Sequence, residues 1–305
     1  MKLVLPIAGK GTRMQPLTHT VHKALLPIVD KEVLAHIIDA VVETPNLDVS
    51  EIIFITGHLE EQIQSWAEKH YDQPLRFVTQ EVQNGTAHAL KLVKDYIDED
   101  VLIIFPDALF DIDLEKINEI QDLDGIIWAQ EVEDPQHFGV VAHDEDKHMT
   151  ELLEKPLDPP SNLANIGIYY LKDHKSMFAM IDMLYEQEIK AKGEYNFPEA
   201  LDLMAKNGKK ILVEPVEGWN DCGRPETALA TNTEYTKRAG IENRSTVHEE
   251  AVVENSTLFN CIVMQDARIT NCDLENSIVG PGSVVKNTRG SIFTGSDARI
   301  EGRKQ

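Results

Sequence analysis

The sequence predicts an α/β domain, with a mostly parallel sheet covered by helices, followed by a short parallel β-helix. Three observations carry this. From residue 1 to about 240, short apolar runs alternate with amphipathic segments of helical length. After Gly240 the helical periodicity stops, and a triplet of small, variable and aliphatic residues recurs instead. Finally, 42% apolar and 27% charged residues in a chain of 305 make an ordinary globular balance, able to bury a sizeable core. Two domains follow, 1–240 and 241–305.

The apolar runs Leu3–Ala8, Ile52–Thr56, Leu75–Val78, Val101–Phe105 and Ile126–Ala129 have the length and composition of strands buried on both faces. Between them, Glu32–Val42, Glu60–Lys69, Ala87–Tyr96 and Leu114–Ile120 carry apolar residues three and four apart, the spacing of a helix face. Strands alternating with such helices read as βαβ units. Gly139–His143, Ala164–Leu171 and Lys210–Glu214 are further strands. His174–Glu186, Pro198–Lys206 and Pro225–Lys237 complete the helices.

In the tail the triplets begin at Ala251, Ser256, Cys261, Ala267, Cys272, Ser277 and Ser283. Three steps make sixteen residues, so Ala251, Ala267 and Ser283 share a column, as do Ser256 with Cys272 and Cys261 with Ser277. Inward aliphatics with small residues at corners describe stacked coils of a triangular parallel β-helix, expected to be left-handed although spacing alone does not give the hand. Hexapeptide coils take about 18 residues, so sixteen is a departure. An ordinary β-meander is the plainer alternative. Pairs such as Ile262-Val263 and Ile278-Val279 must point to opposite sides, which leaves an outward apolar stripe. The stripe invites the preceding domain or a second copy, and we expect the tail to support a homo-oligomer.

Lysine and arginine total 29 against 52 acidic residues, a net charge of −23. That field repels nucleic acid and anionic lipid, so neither is an expected partner. Three cysteines and no CxxC argue against a disulfide framework or a structural zinc site. No apolar run reaches the length of a membrane span. A cytoplasmic protein is expected.

The first strand runs into Ala8-Gly9-Lys10-Gly11-Thr12-Arg13-Met14. Glycines let backbone N–H groups approach a phosphate, and an arginine can add a bidentate contact. The loop is neither G-x-G-x-x-G nor Walker A. Lys23 follows ten residues later, at the sheet edge where α/β ligands bind. Asp107 follows the apolar strand Val101–Phe105, and Asp221 is expected in a tight turn after strand Lys210–Glu214.

Gly9-Lys10-Gly11-Thr12-Arg13-Met14-Gln15-Pro16-Leu17-Thr18 with Lys23-Ala24-Leu25-Leu26-Pro27 resembles the signature of the sugar-1-phosphate nucleotidylyltransferases. The resemblance continues, in the family's order, through Gln80 with Gly85-Thr86-Ala87-His88-Ala89, Phe138-Gly139-Val140-Val141 and Glu154-Lys155-Pro156. It ends with Ser161-Asn162, Asn165-Ile166-Gly167 and Trp219-Asn220-Asp221-Cys222-Gly223. It covers residues 1 to about 235, is nearest to the glucose-1-phosphate thymidylyltransferases, and implies a Rossmann-like sheet. Two departures stand out. Pro106-Asp107-Ala108 replaces a Gly-Asp, and Ala8-Gly9 replaces paired glycines.

The resemblance implies transfer of a nucleotidyl group from a nucleoside triphosphate to a sugar 1-phosphate, with dTTP or UTP and glucose 1-phosphate the leading pair. Mg²⁺ would lie on Asp107 and Asp221. Arg13 would hold the leaving pyrophosphate, Lys23 the charge between the substrates, and Lys155 the attacking phosphate. Ala8, Gly9, Gly11, Thr12, Gln80, Gly85 and Thr86 would bind the nucleotide; Gly139, Glu154 and Asn165 the sugar. A glutamine amide such as Gln80 can pair with uracil, thymine or guanine, so hydrogen-bond logic leaves the base open. Guanylyl transfer to mannose 1-phosphate and a non-catalytic regulatory subunit remain alternatives. Acyl transfer on the β-helix would need a histidine between coils, and none follows His248. Cys222, Cys261, Cys272 and His88 read as packing residues, and Trp219 as an anchor of its turn.

Overall fold

Leu3 and Leu5 project to one face of strand β1 (Lys2–Pro6), Val4 to the other, and each lies in a different buried cluster. That two-sided burial is why an unbroken apolar run makes a central strand rather than an edge. The computed structural model describes residues 1–302. After β1 come a short ribbon, β2 (Pro27–Ile28) and β3 (Lys31–Glu32), helix α1 (Val33–Val42), β4 (Glu51–Thr56), α2 (Glu60–His70), β5 (Leu75–Thr79) and α3 (Thr86–Lys91). Then follow β6 (Val101–Ile104), β7 (Ala108–Asp111), β8 (Gly125–Glu131), β9 (Gly139–His143), β10 (Met149–Glu154) and β11 (Leu163–Leu171). Helices α4 (His174–Glu186) and α5 (Phe197–Lys206), strands β12 (Ile211–Pro215) and β13 (Gly218–Asp221), and helix α6 (Pro225–Arg238) complete this part.

The sheet runs β12-β8-β11-β6-β1-β4-β5, parallel except where β11 lies antiparallel to β6 and β8. The hairpin of β9 and β10 joins the first half of β11 through Ala164 and Val140. Helices α1, α2 and α6 pack on the Leu3–Leu5 face, and α3, α4 and α5 on the Val4 face.

Two expected helices differ. Leu114, Ile117 and Ile120 are buried at a spacing of three, which is the period of the 3-10 helix found at Leu114–Asn118. The segment after α3 tightens into a 3-10 turn at Lys94–Tyr96, with Val93 and Ile97 buried on either side of it. The ribbon of β7 and β13 was not expected. Ala-Leu-Phe-Asp is too short and follows a strand too closely to read as another, and Gly-Trp-Asn-Asp holds three turn formers. Asp221 therefore closes a strand rather than sitting in a turn after Lys210–Glu214.

The tail consists of β14 (Thr246–Val247), β15 (Val252–Glu254), β16 (Thr257–Val263), β17 (Arg268–Thr270), β18 (Asp273–Val279), β19 (Val284–Lys286), β20 (Arg289–Gly290) and β21 (Arg299–Glu301). All their pairings are parallel, as a β-helix requires. Register is sixteen residues per coil, Val252 facing Arg268 and Cys261 facing Ser277, and falls to fifteen where Val284 faces Arg299. Asparagines make the corners: Asn260, Asn271 and Asn276 take left-handed φ of 51, 54 and 45°, each followed by a small inward residue. Asparagine tolerates that conformation, and Asn260 Nδ2 donates to Asn276 Oδ1 at 2.7 Å, one coil away.

Val263 and Val279 fill the prism, and their neighbours Ile262 and Ile278 point outward as expected. These outward residues, with Met264, join Ala228 and Leu229 of α6 in one buried cluster. Ile262 and Ile278 are thus covered by the preceding domain, while Val252 and Phe259 of the tail stay exposed. Among the described residues, no helix is long and apolar enough to cross a membrane.

Candidate active site

Beyond Ile104 the chain turns through Phe105 and Pro106 to Asp107, whose N–H donates to the Phe105 carbonyl at 3.0 Å. The donor missing at Pro106 is thus not the one this turn uses. Asp221 ends β13, and the next N–H, from Cys222, donates to the Asp107 carbonyl at 2.8 Å. The two aspartates meet at one end of the β7–β13 ribbon. Asp221 Oδ1 accepts from the Gly223 N–H at 3.1 Å, which sets its rotamer. Cys222 between them is buried, and burial pushes its thiol up to about 12, so it is a packed, unreactive group.

Cations approach from two sides. Lys23 Nζ lies 3.7 Å from Asp107 Oδ2. Arg13 stands in a single 3-10 turn entered through Gly11 at φ 59°, where the Thr18 hydroxyl donates to the Gly11 carbonyl at 2.8 Å. Its guanidinium lies over Gly223: a Cβ there would be 2.9 Å from Arg13 Nη2 and 3.0 Å from Asp221 Oδ1. The missing side chain lets cation and carboxylate share a corner.

The hairpin of β9 and β10 sets Gly139 opposite Glu154. A Cβ at Gly139 would stand 3.2 Å from Glu154 Oε2 and 3.7 Å from Asn165 Nδ2, so these three residues enclose one small space. Asn165 is held at both ends, donating to the Tyr169 hydroxyl at 2.7 Å and accepting from the Gly167 N–H at 3.1 Å. Lys155 takes a left-handed φ of 49°, its N–H donates to the Phe138 carbonyl at 2.9 Å, and its Nζ is 3.6 Å from Glu154 Oε1.

Arg13, Thr86, Asp107, Gly139, Glu154, Lys155, Asn165 and Asp221 line one cleft of about 780 Å³. The remaining expected residues lie outside its wall. Lys23 reaches it through Asp107, Gly85 through Thr86, and the loop from Ala8 to Thr12 through Arg13. Gln80 is buried, and its Nε2 donates to the Gly85 carbonyl at 3.2 Å and faces His88 Nδ1 at 3.0 Å. Burial holds His88 below its ordinary value, hence neutral at pH 7 and able to accept that contact. Both amide protons are engaged, so a base pairing with Gln80 would displace one of these contacts. Gln83 spans the gap nearby, its Nε2 donating to the Ala8 carbonyl at 2.7 Å.

Sequence reasoning missed the cleft's other wall. Ala191, Glu194 and Asn196 line it, held by Tyr195 N–H donating to Asn84 at 3.1 Å and Ala87 N–H donating to Tyr195 at 2.9 Å. The Thr86 hydroxyl accepts from the Phe197 N–H at 2.8 Å, so the start of α3 and the start of α5 are stitched together. Only a charged, glycine-bearing run before a helix marked this segment. Trp219 packs edge-on against Phe138, 5.7 Å between centroids, and both line the cleft.

The chain matches the nucleotidyl transferase family model over residues 2–238. It is 34% identical over 262 residues to the low-salt glycan biosynthesis nucleotidyltransferase Agl11 of Haloferax volcanii, covering 83% of this chain and 71% of that one. It is 31% identical over 259 residues to the bifunctional protein GlmU of Methanocaldococcus jannaschii, covering 85% of this chain and 60% of that protein. The chain thus spans about three fifths of that bifunctional relative's length. A solved UDP-glucose pyrophosphorylase complexed with UDP-glucose aligns with a TM-score of 0.67 and 25% identity, over 78% of this chain and 98% of that one. A family match running from β1 to the last turn of α6 takes in every element that shapes the cleft, and the chain belongs to the sugar-1-phosphate nucleotidyltransferases.

Proposed function

We propose that this chain joins a nucleoside triphosphate to a sugar 1-phosphate, releasing pyrophosphate, with Mg²⁺ bound and with UTP or dTTP and glucose 1-phosphate as the substrates. The observation that carries the reading is the single cleft shared by Arg13, Asp107, Glu154, Lys155, Asn165 and Asp221. An oxygen of the sugar phosphate attacks the α-phosphorus; the bond to the β-phosphate oxygen breaks, and its electron pair leaves with pyrophosphate. The nucleophile is already an anion, so no general base is required. What the site must supply is charge neutralisation and alignment. Lys155 binds the incoming phosphate, Arg13 the departing pyrophosphate, and Lys23, beside Asp107, the charge between them. Glu154 and Asn165 accept and donate to sugar hydroxyls in the space that Gly139 leaves open.

Asp107 and Asp221 would hold the metal. The donor set supports this: two carboxylates stand at one ribbon end, joined by the Cys222 N–H donating to the Asp107 carbonyl. Mg²⁺ favours such sites, keeping waters and taking phosphate oxygens as its other ligands. Bound there, it would neutralise charge on the phosphates and hold them in line.

The glucose preference draws on the UDP-glucose held by the solved relative. A regulatory subunit would have little reason to keep three cations and two carboxylates around an open cleft. Pyrophosphate release across UTP, dTTP, GTP and ATP, each with glucose, N-acetylglucosamine and mannose 1-phosphates, tests the proposal. A single productive combination dependent on Mg²⁺ is expected. Silence across the grid overturns the enzyme reading, and a GTP–mannose 1-phosphate product overturns the substrate pair.

A further inference from the structure

Thr231, Asn232 and Thr233 interrupt the middle of α6 with three residues of modest helix propensity, each bonded to something outside the helix. The Thr231 hydroxyl donates to the Asp221 carbonyl at 2.9 Å. Asn232 Nδ2 donates to the Arg244 carbonyl at 3.0 Å, and its Oδ1 accepts from the Thr246 hydroxyl at 2.6 Å. Thr233 donates to the corner residue Asn260 at 2.8 Å. Thr231 and Asn232 are 2% and 0% exposed, so neither bond is a loose surface contact.

We infer that this turn of α6 is a positioning device: Thr231 fixes the backbone that carries the Asp221 carboxylate, and Asn232 fastens that turn to the β-helix. The β13 strand needs such support. It is four residues long and pairs only with β7, outside the main sheet. Asp221 is its last residue, where ladder bonding ends, and the Thr231 hydroxyl takes the carbonyl there. On the other side, Thr246 also accepts from the Val29 N–H at 2.9 Å, and Val29 holds a left-handed φ of 62°, costly for a β-branched residue. One buried β-helix hydroxyl thus ties α6 to the ribbon that follows Lys23. Docking of the tail against α6 therefore reaches both segments that carry charge to the phosphates.

The inference rests on Asp221 being a metal carboxylate, and its test separates the two. Thr231→Val keeps the volume and removes the donor; Thr231→Ser keeps the donor. Thr246→Val removes the β-helix hydroxyl that Asn232 and the Val29 N–H share and leaves Thr231 untouched. The readouts are Mn²⁺ affinity by paramagnetic resonance, with α,β-methylene-UTP or α,β-methylene-dTTP present, and the half-saturating Mg²⁺ concentration in turnover. Thr231→Val should weaken metal binding about tenfold, the scale of one buried hydrogen bond. The KM for sugar 1-phosphate should move less than about twofold on the same scale. Thr231→Ser should match the parent, and Thr246→Val should shift metal affinity in the same direction by about threefold. Parent-like metal affinity in Thr231→Val and Thr246→Val, with only a lowered Tm, overturns the positioning role. If Thr231→Val does not fold, Thr246→Val decides alone. Asp221→Asn is the control: unchanged metal affinity there overturns the metal reading itself, and this inference with it.

Discussion

His22 is 1% exposed, and both ring nitrogens are used: Nε2 donates to the Ile7 carbonyl at 2.9 Å, and Nδ1 accepts from the Ala24 N–H at 3.2 Å. It ties the end of β1, just before the Gly9–Thr12 loop, to the turn that carries Lys23. Only a neutral imidazole can make both bonds, since a protonated ring has no acceptor. Burial pushes its pKa down to about 4, with the charges of Lys23 and His58 adding and the Ile7 carbonyl opposing. Against the ordinary 6.5, and at 1.36 kcal/mol per pH unit, that corresponds to about 3 kcal/mol favouring the neutral fold. A depressed pKa gives stability that is present above 6.5 and lost as pH falls from there towards 4. The perturbation is His22→Asn, which keeps a capping acceptor for Ala24 but does not titrate. Urea unfolding of both proteins, followed by tryptophan fluorescence at about pH 7, 5.5 and 4.5, reads the difference. The parent should lose about 2 kcal/mol relative to the variant between the first and last of these. Groups common to both chains cancel. A difference that stays constant across the range refutes the assignment of a buried, neutral His22.

Three further changes separate the site from its scaffold. Gly223→Ala puts a methyl against the mobile end of Arg13 and against Asp221 Oδ1, so Tm should hold while kcat/KM falls by about ten- to a hundredfold; unchanged kinetics would contradict the shared corner. Gly85→Ala is different in kind. Its φ is 97° and the new Cβ would collide with the Tyr195 carbonyl oxygen, a rigid neighbour, so Tm should fall by several degrees and nucleotide binding with it. Ile278→Ala, at a position 1% exposed between the prism and α6, should cost about 3 kcal/mol in urea unfolding; a loss under about 1 kcal/mol would mean the two domains do not share a core.

Much of this molecule is legible in its sequence because the signals are periodic. Two-sided apolar runs give the central strands, and small residues sixteen apart give the coils. The site blocks are local motifs attached to those strands, so Asp107, Glu154 and Asn165 could be placed before any coordinates. What escaped was non-local or aperiodic. The β7–β13 ribbon has no alternation, since Asp111, Asn220 and Asp221 occupy positions where a free-standing strand would place apolar residues. Corner asparagines were hidden because their role is conformational, a left-handed φ, and not hydrophobic. That Gln80 spends its amide on Gly85 and His88 depends on a packed loop that spacing cannot show. The outward stripe was readable; its cover was not, because α6 lies more than twenty residues upstream.

Under the proposed function, Asp107, just before β7, and Asp221, at the end of β13, would hold Mg²⁺ and let it neutralise charge on the reacting phosphates. Initial rates of pyrophosphate release for Asp107→Asn and Asp221→Asn, measured over a range of Mg²⁺ with the productive substrate pair, test this. Each neutral amide keeps the shape and removes a charge worth several kcal/mol in the transition state, so a fall of about a thousandfold is predicted with Tm within a few degrees of the parent. Near-parental rates at low Mg²⁺ in either variant would contradict the claim and move the metal off that carboxylate.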